Sequence, residues 1–148
     1  MKWTVKKFGE LTPVEVYDIL RARCDVFIVE QNCPYSDPDG LDLLSTHMFA
    51  ERDGEIAAYC RITPKGTRFP ETSIGRLITT KKFRSAGLGR EIMERAIDII
   101  TRDMRETDIR ISGQAYLRAF YESLGFAVTS ELYPEDGIPH YEMLRKGL

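Results

Sequence analysis

Residues Ser73–Arg90, SIGRLITTKKFRSAGLGR, decide the fold. Ser73 to Thr80 is an apolar run with β-branched residues and predicts a strand. Arg84-Ser85-Ala86-Gly87-Leu88-Gly89 follows as a glycine-bearing turn. Ile92, Met93, Ala96, Ile97, Ile100 and Met104 then recur at helical spacing, and Ile109 to Ser112 reads as a further strand. A strand, a crossover helix and a second strand make a parallel pair inside a mixed sheet.

Upstream, Trp3 and Val5 alternate with Thr4 and Lys6 in a short first strand. Thr12-Pro13-Val14-Glu15 is a capping box with proline at the first helical position. The helix it opens carries Val16, Tyr17, Leu20, Cys24, Phe27 and Ile28 and should end near Glu30. Gln31 to Ser45 is polar and turn-rich. His47 to Glu51 and Glu55 to Thr63 flank Asp53-Gly54, a strong hairpin signal. Downstream, Tyr116 to Leu124 predicts a short helix stopped by Gly125. Phe126 to Tyr133 and Tyr141 to Arg145 predict strands around a turn over Pro134–Pro139. The expected order is β-α-β-β-β-α-β-α-β-β, an α/β (α+β) class in one domain, residues 1–148.

The turn has a chemistry of its own. A helix N-terminus offers unpaired N–H groups and partial positive charge, and glycines let an anion approach the backbone. Six of the ten residues Lys81 to Arg90 are basic or glycine, with Arg84 and Arg90 able to add charge-assisted contacts. A P-loop needs Gly-Lys-Ser/Thr, but Arg90-Glu91 follows Gly89. A dinucleotide fingerprint needs glycine where Ile92 stands. On these six residues alone, a ligand-free turn and a phosphate-binding turn read equally well.

Composition narrows the partners. A net charge of -2 gives no global pull towards nucleic acid or anionic membrane. Cys24, Cys33 and Cys60 are odd in number and lack C-x-x-C spacing, which speaks for reduced thiols. No apolar run approaches a membrane span, and the N-terminal residues have no signal-peptide pattern, so the cytoplasm is the expected compartment. Asp37, Asp39 and Asp42 fail the EF-hand pattern and are expected in a solvated turn; no metal is expected.

R-x-x-G-x-G between strand and helix resembles motif A of the GNAT superfamily of coenzyme-A-dependent acyltransferases. Ala119-Phe120-Tyr121-Glu122-Ser123-Leu124-Gly125-Phe126 resembles a second family segment, F-Y-x-x-x-G-F. Val29 to Tyr35, Asp37, Asp39-Gly40, Asp42, Ile74-Gly75-Arg76 and Glu135 to His140 look like the ElaA-like branch. The resemblance implies a mostly antiparallel sheet with a splayed parallel central pair, flanked by helices. It also implies acetyl-CoA, or coenzyme A, as co-substrate. Leu77, Ile78 and Thr79 would meet the pantetheine arm, with the Ile78 N–H stabilising the thioester oxyanion. Arg84, Ser85, Ala86, Gly87, Leu88, Gly89 and Arg90 would bind pyrophosphate. Gln114 stands where many members have asparagine.

Tyr121 matches the family's general acid. The strand before motif A lacks the glutamate base of many members, which leaves His47, His140, Glu30 or a water-mediated base. Arg76, inside the strand, is expected to pair with an Asp or Glu. The implied activity is N-acetylation of a primary amine on a small molecule or peptide. A coenzyme-A-binding module of weak or lost activity is the alternative. Nucleic acid and membrane are not expected partners, and a homodimer is left open.

Overall fold

A computed structural model describes residues 1–147. The strands are β1 (Lys2–Lys7), β2 (Thr46–Arg52), β3 (Glu55–Thr63), β4 (Thr72–Thr79), β5 (Ile109–Gln114), β6 (Ala127–Val128), β7 (Tyr133–Glu135) and β8 (Ile138–Arg145). The helices are α1 (Pro13–Arg23), α2 (Leu88–Asp98) and α3 (Arg118–Glu122). α1 continues in wider turns through Glu30, and α2 does so through Asp103. The sheet runs β1-β2-β3-β4-β5-β8-β6, with β7 also on β8; among the described residues only β4 and β5 are parallel. No described helix is long and apolar enough to cross a membrane.

Local chemistry explains the element ends. Thr12 accepts from the Glu15 N–H while Glu15 accepts from the Thr12 N–H, which closes the capping box on α1. Asp53 and Gly54 take φ of 53° and 76°, the two left-handed positions of a tight hairpin. Asp136 and Gly137 repeat this at 50° and 76°. The expected six-residue turn over Pro134–Pro139 is therefore only two residues long, and both prolines lie in paired strands. β7 is a short edge strand, where proline withdraws no ladder bond. The expected strand Phe126–Tyr133 is also broken. Thr129 to Leu132 lie opposite only Tyr141 and Glu142, so the surplus bulges out between β6 and β7.

Alternation along the strands feeds two cores. Met48, Cys60, Ile62 and Ile74 pack with Ile92, Met93 and Ala96 of α2. Phe49, Tyr59 and Ile78 pack on the other face with Ile19 and Ala22 of α1. Ile74 and Ile78 are an even number of residues apart, yet they enter opposite cores. A bulge is the cause: Cys60 of β3 lies opposite both Arg76 and Leu77, and Arg76 is left-handed at φ 51°.

The bulge lies beyond the part of β4 that pairs with β5. The two strands pair only at Thr72–Ile109 and Ser73–Arg110, then part. The opening is a cleft of about 560 Å³.

Candidate active site

The cleft is a V between the C-terminal halves of β4 and β5. Leu77, Ile78, Thr79, Arg84 and Gly89 line one arm; Gln114 and Tyr121 line the other; Glu30 and His140 line it as well. At the mouth, Ser85 (φ 72°) and Gly87 (φ 75°) are left-handed around Ala86. Such alternation curls successive N–H groups into an anion-binding concavity. Gly87 caps α2, so the N–H groups of Leu88, Gly89 and Arg90 fall in its first turn. Leu88 buries its side chain in the core and can offer only its backbone. The turn thus fits a pyrophosphate on backbone geometry alone.

The ladder decides which β4 amides face the gap. Thr80 N–H donates to Ala57 C=O at 3.0 Å, and Ile78 lies opposite Tyr59 two residues further on. Bonded pairs alternate in antiparallel strands, so the Ile78 N–H points to β3 and not into the cleft. Leu77 and Thr79 point their backbone groups the other way, and the Thr79 carbonyl accepts from Arg84 Nε at 3.1 Å. The Ile78 N–H is therefore not placed to act as the expected oxyanion donor, and the backbone groups that face the gap are those of its neighbours.

Tyr121 projects from α3 onto β5. It is 8% exposed, packs edge-on against Phe120 and Phe126, and fills the space beside Gly113. Burial pushes its phenol well above the ordinary value, so the proton stays on through the neutral range. No described residue hydrogen-bonds its hydroxyl.

The base candidates separate. His140 lies opposite Gln114 in the β5–β8 ladder, within the cleft wall. Its Nδ1–H donates to the Ile138 carbonyl at 2.7 Å, which leaves Nε2 as the basic nitrogen, 3.4 Å from Glu135 Oε2. Glu30 also lines the cleft, but its carboxylate is paired with Arg84 Nη2 at 2.6 Å. His47 is not brought to the cleft. It is a buried residue of β2 that donates from Nε2 to the Asp42 carbonyl (2.8 Å) and accepts at Nδ1 from the Tyr59 hydroxyl (2.7 Å). Burial lowers its pKa, and neither nitrogen is free. Arg90 also has work elsewhere: it donates to Ser123 Oγ at 2.6 Å and lies over Phe120. Gln114 Nε2 reaches Gln31 Oε1 at 3.4 Å across the cleft.

Of the three aspartates expected in a solvated turn, Asp37 and Asp42 are buried and Asp39 stays exposed, and all three are paired. Arg23 Nε donates to Asp37 (2.8 Å) and Nη1 to Asp42 (2.7 Å), while Arg61 grips Asp39 with both Nη atoms (2.7 and 2.9 Å). Arg76 joins them, as its expected acidic pairing requires: Nη2 donates to the Asp37 carbonyl at 2.9 Å, and Nε lies 3.0 Å from Asp37 Oδ1 without a linear hydrogen bond. Asp37 and Arg23 are fully enclosed. Three guanidiniums neutralise three carboxylates, which is why Asp37 and Asp42 can be buried.

The cleft is also lined by Arg68, Ser112 and Glu135, which no sequence motif marked as site residues. Arg68 Nη2 donates to Glu135 Oε1 at 2.7 Å, and Ser112 Oγ donates to the same oxygen at 3.1 Å. Glu135 opens the ElaA-like stretch Glu135 to His140, but nothing local ties it to Arg68, 67 residues away.

A cleft between two parting parallel strands, with a phosphate-shaped turn at its mouth, invites comparison with known proteins. The acetyltransferase (GNAT) domain profile matches residues 42–146. The chain belongs to the GNAT acetyltransferase family. ElaA of Escherichia coli is 36% identical over 148 residues, covering 99% of this chain and 97% of that one. The crystal structure of an acyl-CoA N-acyltransferase from Pseudomonas aeruginosa superposes with a TM-score of 0.93 at 41% identity, over 97% of this chain and 98% of that one. The crystal structure of Escherichia coli ElaA gives 0.91 at 34%, over 99% and 100%. Acyl transfer is the class of reaction to which this GNAT chain is assigned.

Proposed function

We propose that the protein transfers the acetyl group of acetyl-CoA to a primary amine of a small molecule or peptide, by direct attack of the amine on the thioester. The observation that carries this reading is the parting of β4 from β5 after two paired residues, with Tyr121 and His140 lining the same gap. Bound acetyl-CoA supplies an activated acyl group. The backbone from Arg84 to Arg90, with the Arg84 side chain, holds the pyrophosphate. Leu77 and Thr79 pair with the pantetheine arm, and Gln114 contacts it from β5. The Leu77 N–H, beside the bulge, donates to the oxygen that gains negative charge as the amine attacks. His140 Nε2 takes the proton of the amine, and the imidazolium so formed faces Glu135. The carbon–sulfur bond breaks, and Tyr121 protonates the departing thiolate.

A coenzyme-binding module without turnover has one observation in its favour. β4 carries no glutamate, and Glu30 is held by Arg84. One measurement tests what the two readings share, and a second separates them. Saturating acetyl-CoA raises the melting temperature under both. Release of free thiol across an amine panel occurs only in the enzyme. Tyr121→Phe lowers kcat by at least about tenfold while the acetyl-CoA-induced thermal shift is kept. An unchanged kcat removes the acid role from Tyr121, and no thermal shift at all removes the coenzyme site.

A further inference from the structure

We propose that the acceptor carries a carboxylate beside its amine, as an amino acid does, and that Arg68 reads the carboxylate. The proposal rests on the acyl-transfer reading above and names its second substrate.

Arg68 leans over Gly75 of β4, where Nη1 lies 3.8 Å from the point a side chain would begin. Its partner Glu135 is fixed on Ser112 of β5. The Arg68–Glu135 pair therefore spans the gap near its closed end, just beyond the last paired residues of β4 and β5. A guanidinium has five N–H groups. Among the described residues, the Arg68 side chain makes one hydrogen bond, from Nη2 to Glu135. Nε, Nη1 and the second N–H of Nη2 are left for a ligand, and an edge that joins Nη2 to either neighbour is the fork that suits a carboxylate. Glu135 spends Oε1 on Arg68 and Ser112, and keeps Oε2 towards His140.

An Arg–Glu pair laid across the closed end of the cleft offers a positive and a negative end side by side. A zwitterion laid against it in the opposite sense satisfies both. Its carboxylate meets the Arg68 fork, and its ammonium meets Glu135 Oε2. That position is also beside His140 Nε2, which takes the ammonium proton before attack. The charge of the wall agrees. Arg68, Arg76 and Arg84 are matched by Glu30, Glu135 and Asp136. A polyamine would find no surplus of carboxylates, and a polyanion no surplus of guanidiniums. Phe27, Ile74 and Ile138 also line the cleft and suit an apolar side chain.

The probes are leucine, leucinamide and 3-methylbutylamine, which share a side chain and differ in the carboxylate. Wild-type protein with acetyl-CoA should release thiol with leucine at a kcat/KM at least about tenfold above the other two. Arg68→Gln should lower the leucine value by at least about tenfold and bring the leucine-to-leucinamide ratio close to one. Equal wild-type rates for all three overturn the proposal. So does an Arg68→Gln variant that loses the same factor on every acceptor, because a merely structural Arg68 leaves the ratio intact. Calorimetry on wild-type protein saturated with coenzyme A needs neither turnover nor the variant. Leucine should bind and leucinamide should not, and the reverse sinks the inference. Absence of thiol release with every acceptor overturns acyl transfer itself, while the calorimetry still decides the carboxylate.

Discussion

Gly113 and Tyr121 are a matched pair. A Cβ on Gly113 would sit 2.7 Å from a ring carbon of Tyr121, nearer than real Cβ atoms come. The glycine is thus the slot that lets α3 lay the phenol along β5. Gly113→Ala should push the ring aside, with a stability cost of about 1–3 kcal/mol from overpacking. The more telling effect is on chemistry. If the displaced hydroxyl no longer reaches the sulfur, kcat falls as it does in Tyr121→Phe, and the double variant falls no further than either single one. A stopped-flow or steady-state thiol assay on the four proteins of the cycle reads this directly. Additive losses would show that Gly113 acts by a route other than Tyr121.

At the scale of elements, the loop from Gln31 to Ser45 is joined to α1, β3 and β4 by Arg23, Arg61 and Arg76. Burial pushes the Asp39 carboxyl up, but the Arg61 fork and the Arg76 charge outweigh it and bring it down to about 2, from an ordinary 3.8. Asp42 is lowered likewise, burial being outweighed by Arg23 and Arg61. His47 is lowered from an ordinary 6.5 chiefly by burial. All three shifts act in one direction. As pH falls below 6.5 the unfolded chain protonates His47 and the folded one does not; below 3.8 the same holds for the aspartates, down to about 2 for Asp39. The melting temperature should therefore decline on acidification from pH 7 to 5 and drop further below pH 4. His47→Gln should flatten the first decline and leave the second. A melting temperature that rises on acidification contradicts this account. The same loop marks where sequence reading stops. The capping box at Thr12, the hairpin at Asp53-Gly54 and the turn before α2 are local patterns, each legible because the residues that make it are adjacent. The aspartates looked solvated because their partners stand 14 to 39 residues away, and charge alone does not say that it is paired. The direction of the Ile78 amide was hidden for a related reason. It depends on a one-residue bulge held by Arg76, a non-glycine in the left-handed region, where no glycine advertises it. Asp136-Gly137 was the opposite case, a local signal of the same kind as Asp53-Gly54, masked by flanking prolines that the edge strand tolerates.

For the whole molecule, the sheet is two blocks, β1 to β4 and β5 to β8. Among the described residues they share two register pairs at Thr72 and Ser73, the Arg110–Glu71 pair beside them, the α2 core, and three thin contacts across the cleft: Arg68–Glu135, Gln31–Gln114 and Cys33–Asp136. On the proposed reading, a coenzyme lying in the V would supply the missing ladder between the blocks, and its binding free energy would also be coupling between them. Hydrogen exchange can resolve this at single amides. In the free protein, Leu77 and Thr79 point their N–H groups at the gap and should exchange fast, while Ile78 between them is bonded to β3 and should be slow. Acetyl-CoA should slow Leu77 and Thr79, together with amides of the turn from Arg84 to Arg90, and leave Ile78 nearly unchanged. An alternating response along three consecutive residues is hard to produce by general tightening, which would slow all three. Uniform slowing would mean that the coenzyme stabilises the fold from outside the V. Slowing at Ile78 alone would return the oxyanion donor to that residue and require the bulge at Arg76 to shift when the coenzyme binds.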